Sequence, residues 1–126
     1  AGHCGRAIGR VAASAGFRVR MYDDREPFLD QDAMPWAERI ECVDFAAVGE
    51  RLAIGPHHYV VIVTRGHEHD LTLLRQLAGS PASYLGMIGS ERKRLLFERT
   101  LRGEGLSPAA LDRLRSPMGL PIGADT

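Results

Sequence analysis

The stretch AGHCGRAIGRVAASAGFRVRMYDDR (residues 1–25) sets a glycine pair, a helix-spaced apolar run, an alternating run and two aspartates in that order. Gly2 and Gly5 match the last two glycines of G-x-G-x-x-G, the turn that lets backbone approach a pyrophosphate at a helix start. Cys4, Ile8, Val11 and Ala15 then recur at helical spacing, and Gly16 follows as a stop. FRVRMY (17–22) alternates apolar and basic residues like a strand and ends at Asp23 and Asp24. Asp23 stands about 20 residues beyond the glycine turn, where an acidic residue holds a ribose hydroxyl. A second reading stays open: the glycines serve only tight helix–sheet packing, and Asp23 is a solvated strand end.

Alternation of strand and helix patterns continues beyond this unit. Residues 25–38 read as a loop broken by Pro27 and Pro35, RIECV (39–43) as a strand, and residues 44–53 as a short capped helix. HYVVIVT (58–64) is almost wholly apolar, as expected of a strand buried on both faces of a parallel sheet. Leucines 71, 74 and 77 mark a helix over 67–78, ASYLGMI (82–88) is the next strand, and Ser90 caps a helix running to about Arg102. SPAALDRLR (107–115) predicts a helix with a serine cap and proline at its first position. PMGLPIGADT (117–126) reads as extended, curving at Gly119 and Gly123 and ending in Asp125-Thr126, a helix-cap pattern. The predicted class is α/β, a doubly wound parallel sheet.

In the usual strand order 3-2-1-4-5 the strand ahead of the glycine turn is central. That strand and the first glycine would precede Ala1, so the sheet is expected to have a gap at its most buried place. The expectation is a Rossmann-like domain over residues 1–126, truncated at both ends, or one whose missing strand is supplied from elsewhere.

The chain's 126 residues suffice for one domain with one core, and 44% apolar with 25% charged residues is an ordinary globular balance. Sixteen basic residues against sixteen acidic ones give no global field toward nucleic acid or an anionic membrane surface. Runs such as YVVIV (59–63) are too short to span a bilayer. Two cysteines, Cys4 and Cys42, form no disulfide framework, and a reducing cytoplasm is the expected compartment. Cys4, at a helix start that lowers a thiol pKa, reads either as a reactive thiolate or as a small packing residue.

Two further stretches carry chemistry. VTRGHEHD (63–70) follows the most apolar strand, at the edge where open parallel sheets bind ligands. Arg65 can fork onto a phosphate or carboxylate, Gly66 permits close approach, and His67, His69 and Asp70 are potential ligands or proton carriers. His67 and His69 lack the i, i+4 spacing of a helical metal pair, and capping of the following helix is the plainer alternative. In GMIGSERKR (86–94), Gly86 and Gly89 are expected to bend the chain out of a strand, and Ser90 to start a helix whose first turn carries Arg92 and Lys93. Backbone amides, helix dipole and two cations would make a second anion site; a solvated basic face is the alternative. His57 and His58 precede the strand at its far end and read as surface residues.

Together AGHCGRA (1–7), DDR (23–25), VIVTRGHEHD (61–70), YLGMIGSERKR (84–94) and GLPIGADT (119–126) resemble, in order and spacing, the Rossmann domain of the XdhC family. These are xanthine dehydrogenase accessory proteins, grouped with CoxI-like proteins. The resemblance covers essentially the whole chain and implies a maturation factor more than a catalyst. Such a factor would bind molybdenum cofactor, as molybdopterin or its dinucleotide form, protect it while a cysteine desulfurase installs its sulfur, and help insert it into a molybdenum hydroxylase apoenzyme. Implied cofactor-binding residues are Gly2, His3, Gly5, Asp23, Arg65, Gly66, His67, Asp70, Gly86, Gly89, Ser90 and Lys93, with no catalytic or metal-ligating residue. A homodimer is compatible with the resemblance, and neither nucleic acid nor membrane is an expected partner. The alternatives are an NAD(P)-dependent oxidoreductase and a nucleotide-binding regulatory domain. The first would need a Tyr-Lys pair or catalytic His, yet Tyr22, Tyr59 and Tyr84 all fall in predicted strands.

Overall fold

Helix α1 (His3–Ser14) bears out the helical spacing after the glycine pair, in a computed structural model that describes residues 3–116. Gly2 lies outside the described residues, as do the side chain of His3 and the whole 117–126 turn. Gly5 stands inside the first turn of α1 and not in a loop ahead of it. The helix stops as its sequence predicts. Gly16 takes φ +99°, and the amides of Gly16 and Phe17 reach back to the carbonyls of Ala13 and Ala12 at 3.1 and 3.0 Å.

Strand β1 (Arg20–Asp23) is shorter than the alternating run, because Phe17 turns aside to meet the Tyr59 ring edge-on at 5.2 Å. It pairs in parallel with β2 (Arg39–Cys42), Arg20 opposite Arg39 and Asp23 opposite Cys42. The helix expected over 44–53 splits in two: Asp44 caps a 3-10 turn, Phe45–Ala47, by accepting the Ala46 amide at 3.0 Å, and one turn of α2 (Val48–Arg51) follows.

A second parallel set follows: β3 (Tyr59–Ile62), α3 (His67–Leu77), β4 (Tyr84–Met87), α4 (Glu91–Gly103), α5 (Pro108–Asp112) and β5 (Leu114–Arg115). The helix predicted over 107–115 therefore ends early. Arg113 donates to the carbonyls of Ser80 and Ala82, turning the chain so that Leu114 and Arg115 pair with Leu85 and Gly86. Gly86 likewise departs from expectation, since it sits within β4 opposite Val61 and not at a bend. A Cβ there would meet the Tyr84 ring at 2.6 Å, so glycine serves a close approach. The bend falls to Gly89 alone, at φ +152°.

The strands run β2-β1 in one sheet and β3-β4-β5 in the other, all parallel, and β1 does not pair with β3. The parallel α/β architecture is thus as expected, and the described strands fall into two sheets. β3 is consequently not buried on both faces throughout: Tyr59 is 58% exposed and Val60 and Val61 are half-buried. The main core lies on the β3-β4-β5 side, where Leu74, Leu85, Met87, Phe97, Leu101 and Leu111 are all but sealed from solvent. A small second cluster of Met34, Ala37, Trp36, Met21 and Ile40 packs beside α1, so the 25–38 loop contributes core as well as connection. No helix among the described residues is long and apolar enough to cross a membrane.

Contact between α1 and that cluster depends on Gly9, where a Cβ would lie 2.6 Å from the Trp36 ring and 3.1 Å from the Met21 sulfur. Gly9→Ala is expected to lower stability by about 1–3 kcal/mol through overpacking. Gly79→Ala, whose Cβ would meet nothing within 4 Å, should stay within about 0.5 kcal/mol. Urea denaturation midpoints of the two variants check both outcomes.

Candidate functional site

Parallel strands that share a direction bring their following loops to one edge, and here the loops after β1, β3 and β4 meet there. Thr64 and Asp70 from the β3–α3 segment and Lys93 from the first turn of α4 form its centre. Asp70 is 2% exposed. One of its oxygens accepts the Thr64 hydroxyl at 2.6 Å and the other the Lys93 ammonium. Lys93 also donates to the Ile88 carbonyl at 2.9 Å and lies 5.5 Å from the Phe97 ring centre. Its stem runs alongside Gly89, where a Cβ would strike Lys93 Cδ at 2.6 Å. Gly89 is therefore required twice, by its φ and by the lysine. Ser90 caps α4 by accepting the Lys93 amide at 3.2 Å.

Arg65 lies nearer solvent. Its guanidinium forks onto the Asp24 carboxylate at 2.9 and 3.3 Å, joining the ends of β3 and β1, with 43% of the side chain exposed. His69 Nε2 stands 4.0 Å from the same carboxylate, its ring edge-on to Phe45. His67 turns elsewhere, edge-on to Phe97. Gly66 is the N-cap of α3 and offers no side-chain cap, and a Cβ on it would meet nothing within 4 Å. The helix start is open to an approaching group.

Asp23, at the end of β1, is 6% exposed. Burial works against its charge, while the Arg25 guanidinium and backbone amide, the amide at 3.0 Å, are among the contacts that hold the carboxyl well below the usual range.

The structure thus joins Asp70 to Lys93 and sets Arg65, Gly66 and Ser90 along one edge. It commits Asp23 to Arg25 and places Gly86 inside a strand. Sequence reasoning missed two partners, Asp24 for Arg65 and Thr64 for Asp70. Their only signal was type: a second aspartate after β1, and a hydroxyl six residues before an acid.

A buried pair is costly to break from one side. Lys93→Met or Asp70→Asn should each lower stability by about 3 kcal/mol, and the two substitutions together by much less than the two single losses summed. A double-mutant cycle in guanidinium measures this. The depressed Asp23 pKa contributes stability that is full above the unfolded value of about 3.9 and is lost as pH falls through the folded one. Asp23→Asn should flatten part of the decline in thermal midpoint between about pH 4 and pH 2, read by circular dichroism.

Comparison with known proteins bears on the family and the fold. The family model described as the XdhC Rossmann domain matches residues 1–126. The uncharacterized protein YqeB of Escherichia coli K12 is 35% identical over 127 aligned residues, which take in all of this chain and 23% of that protein. A crystal structure described as a xanthine dehydrogenase from Bacillus halodurans superposes with a TM-score of 0.80 at 25% identity, over 94% of this chain and 35% of that one. The chain therefore spans 23% of the length of the first of these proteins and 35% of the second. With a family model matched from end to end, a relative above 30% identity and the same parallel α/β frame, the chain belongs to the XdhC Rossmann-domain family.

Proposed function

We propose that this chain is the ligand-holding part of an accessory protein for xanthine dehydrogenase-type molybdenum hydroxylases. In this reading the protein binds molybdenum cofactor, keeps it while a cysteine desulfurase adds the terminal sulfur, and passes it to the apoenzyme, with a homodimer as a compatible assembly. One observation carries the proposal: an exposed, forked Arg65 stands beside the uncapped start of α3, on an edge whose loops Asp70 and Lys93 hold together.

These residues suit a phosphate-bearing pterin. Arg65 offers two parallel donors, and Gly66 leaves room for a phosphate to reach the backbone of α3. Lys93 serves differently, since Asp70 already neutralises it; it positions the Gly89–Ser90 turn that faces the same edge. The cofactor, when bound, supplies the molybdenum chemistry, and the chain's residues bind and orient its anionic end. Asp23 is poorly suited to hold a ribose hydroxyl while Arg25 engages its carboxylate, which weighs against the NAD(P)-dependent oxidoreductase and the nucleotide-sensing domain.

Calorimetry on the full-length protein separates these readings. Molybdenum cofactor should bind and NADH should not, and Arg65→Ala should weaken cofactor binding by about 1.5–3 kcal/mol while leaving the thermal midpoint nearly unchanged. NADH binding with hydride transfer, and no affinity for the pterin, would replace this function with the oxidoreductase.

A further inference from the structure

Helix α4 carries different chemistry on its two sides. Phe97 and Leu101 belong to the main core, at 1% and 0% exposure. On the opposite side Leu95 and Leu96 stand 53% and 51% exposed, midway along the helix. Arg92 lies one turn before them, and Arg99 and Arg102 follow at one and two turns, all three exposed. A single exposed leucine needs no explanation, but two neighbours set between cations make a patch.

The charges of α4 are unevenly satisfied. Its two acids, Glu91 and Glu98, are both taken by Arg94, at 3.2 and 2.9 Å. Lys93 belongs to Asp70, and Glu104 just beyond the helix is committed to Arg75 at 2.7 Å. Among the described residues no carboxylate pairs with Arg92, Arg99 or Arg102. The whole chain balances sixteen cations against sixteen acids, so this face is a local excess and not a share of a global field.

We propose that this face docks an acidic amphipathic helix of a partner protein, whose aliphatic centre covers Leu95 and Leu96 while its carboxylates meet Arg92, Arg99 and Arg102. An apolar centre inside a polar rim is the anatomy of a specific protein interface, where arginine is enriched. Spacing along α4 sets the partner's pattern. Arg99 lies about 10 Å and Arg102 about 15 Å along the axis from Arg92, so a helix laid alongside carries acids about seven and ten residues from a first one. Aliphatic residues fill the interval.

Other occupants fit less well. A second copy with its α4 antiparallel would share the leucine centre but set Arg92 against Arg99, cation against cation. Nucleic acid would press phosphates onto two leucines that gain nothing there. A membrane would receive those two leucines alone, since Phe97 and Leu101 hold the other side of the helix in the core. A protein helix supplies the carboxylates and the apolar cover together. The inference does not rest on the cofactor proposed for the carboxyl edge.

Fluorescence anisotropy on the full-length protein tests it, with a labelled helical peptide that has leucines at its centre and glutamates at the spacing above. The peptide should bind saturably, and its glutamine counterpart at least about tenfold more weakly. Leu95→Ala combined with Leu96→Ala, and separately Arg99→Glu, should each weaken binding at least about tenfold and leave the thermal midpoint nearly unchanged. Replacing the facing peptide glutamate by arginine should restore binding to the Arg99→Glu protein. No saturable binding, or equal binding of the glutamine peptide, would overturn the proposal. So would slow maleimide modification at Leu96→Cys in the free protein, which would give the face to the rest of the polypeptide. Dissociation of a dimer by Leu96→Glu would give it to a second copy. Tighter binding of phosphatidylserine vesicles or duplex DNA than of the peptide, lost in Arg99→Glu, would give it to a phosphate surface.

Discussion

Asp70 and Lys93 form the ion pair on which the carboxyl edge of the strands depends. Neither charge could stay buried alone, since an unpaired ammonium or carboxylate loses several kcal/mol of hydration in such a place. Together they are nearly complete: Thr64 and Lys93 take the two carboxylate oxygens, and the Ile88 carbonyl takes a second ammonium proton. Such a pair adds little net stability over an apolar substitute, but it admits few geometries. Because its members come from the segment after β3 and the segment after β4, it fixes the start of α3 against the start of α4. Phe97 beneath the lysine then couples that geometry to the main core, where it is 1% exposed.

Parallel topology imposes the second constraint. A parallel sheet is covered by helices on both faces, and its inner strands are paired on both edges. The β3-β4-β5 sheet meets this on its β4 strand, whose residues from Leu85 to Met87 are buried. β1 and β3 meet it on one edge each. Among the described residues the exposed large apolar rings, Phe17 and Tyr59, lie where those two strands begin, packed on one another.

Much of the fold was legible because its signals are local. Helical spacing from Cys4 to Ala15, glycine at 16, serine caps at 90 and 107 and the apolar run at 59–63 each depend on neighbours a few residues away, and each element formed. What was missed depends on distant partners. β5 is two residues long and exists because Arg113 binds carbonyls 31 and 33 residues earlier in the chain. Gly86 reads as a bend by type, while the Tyr84 ring decides that it is a strand residue. At the site, Arg65 and Lys93 were recognisable as cations, but their acids lie 41 and 23 residues away. Pairing across such distances has no period to betray it.

Those pairings divide the edge into fixed and exchangeable parts. Three acids, Asp23, Asp24 and Asp70, meet three cations, Arg25, Arg65 and Lys93, so the edge is close to neutral although it looks cationic in sequence. The pairs are not equivalent. Lys93 and Asp70 have 16% and 3% of their side chains exposed, and separating them would strand a buried charge. Arg65 has 43% exposed, and an exposed ion pair is worth about 0–1 kcal/mol. An anion arriving at the start of α3 can therefore take the guanidinium from Asp24 at small cost, and Asp24 keeps Arg25 at 3.8 Å and His69 at 4.0 Å as neighbours. The same exchange at Lys93 would undo the contact that holds the two loops in place. Arg65 is the group that can change partners, and Lys93 is the group that must not.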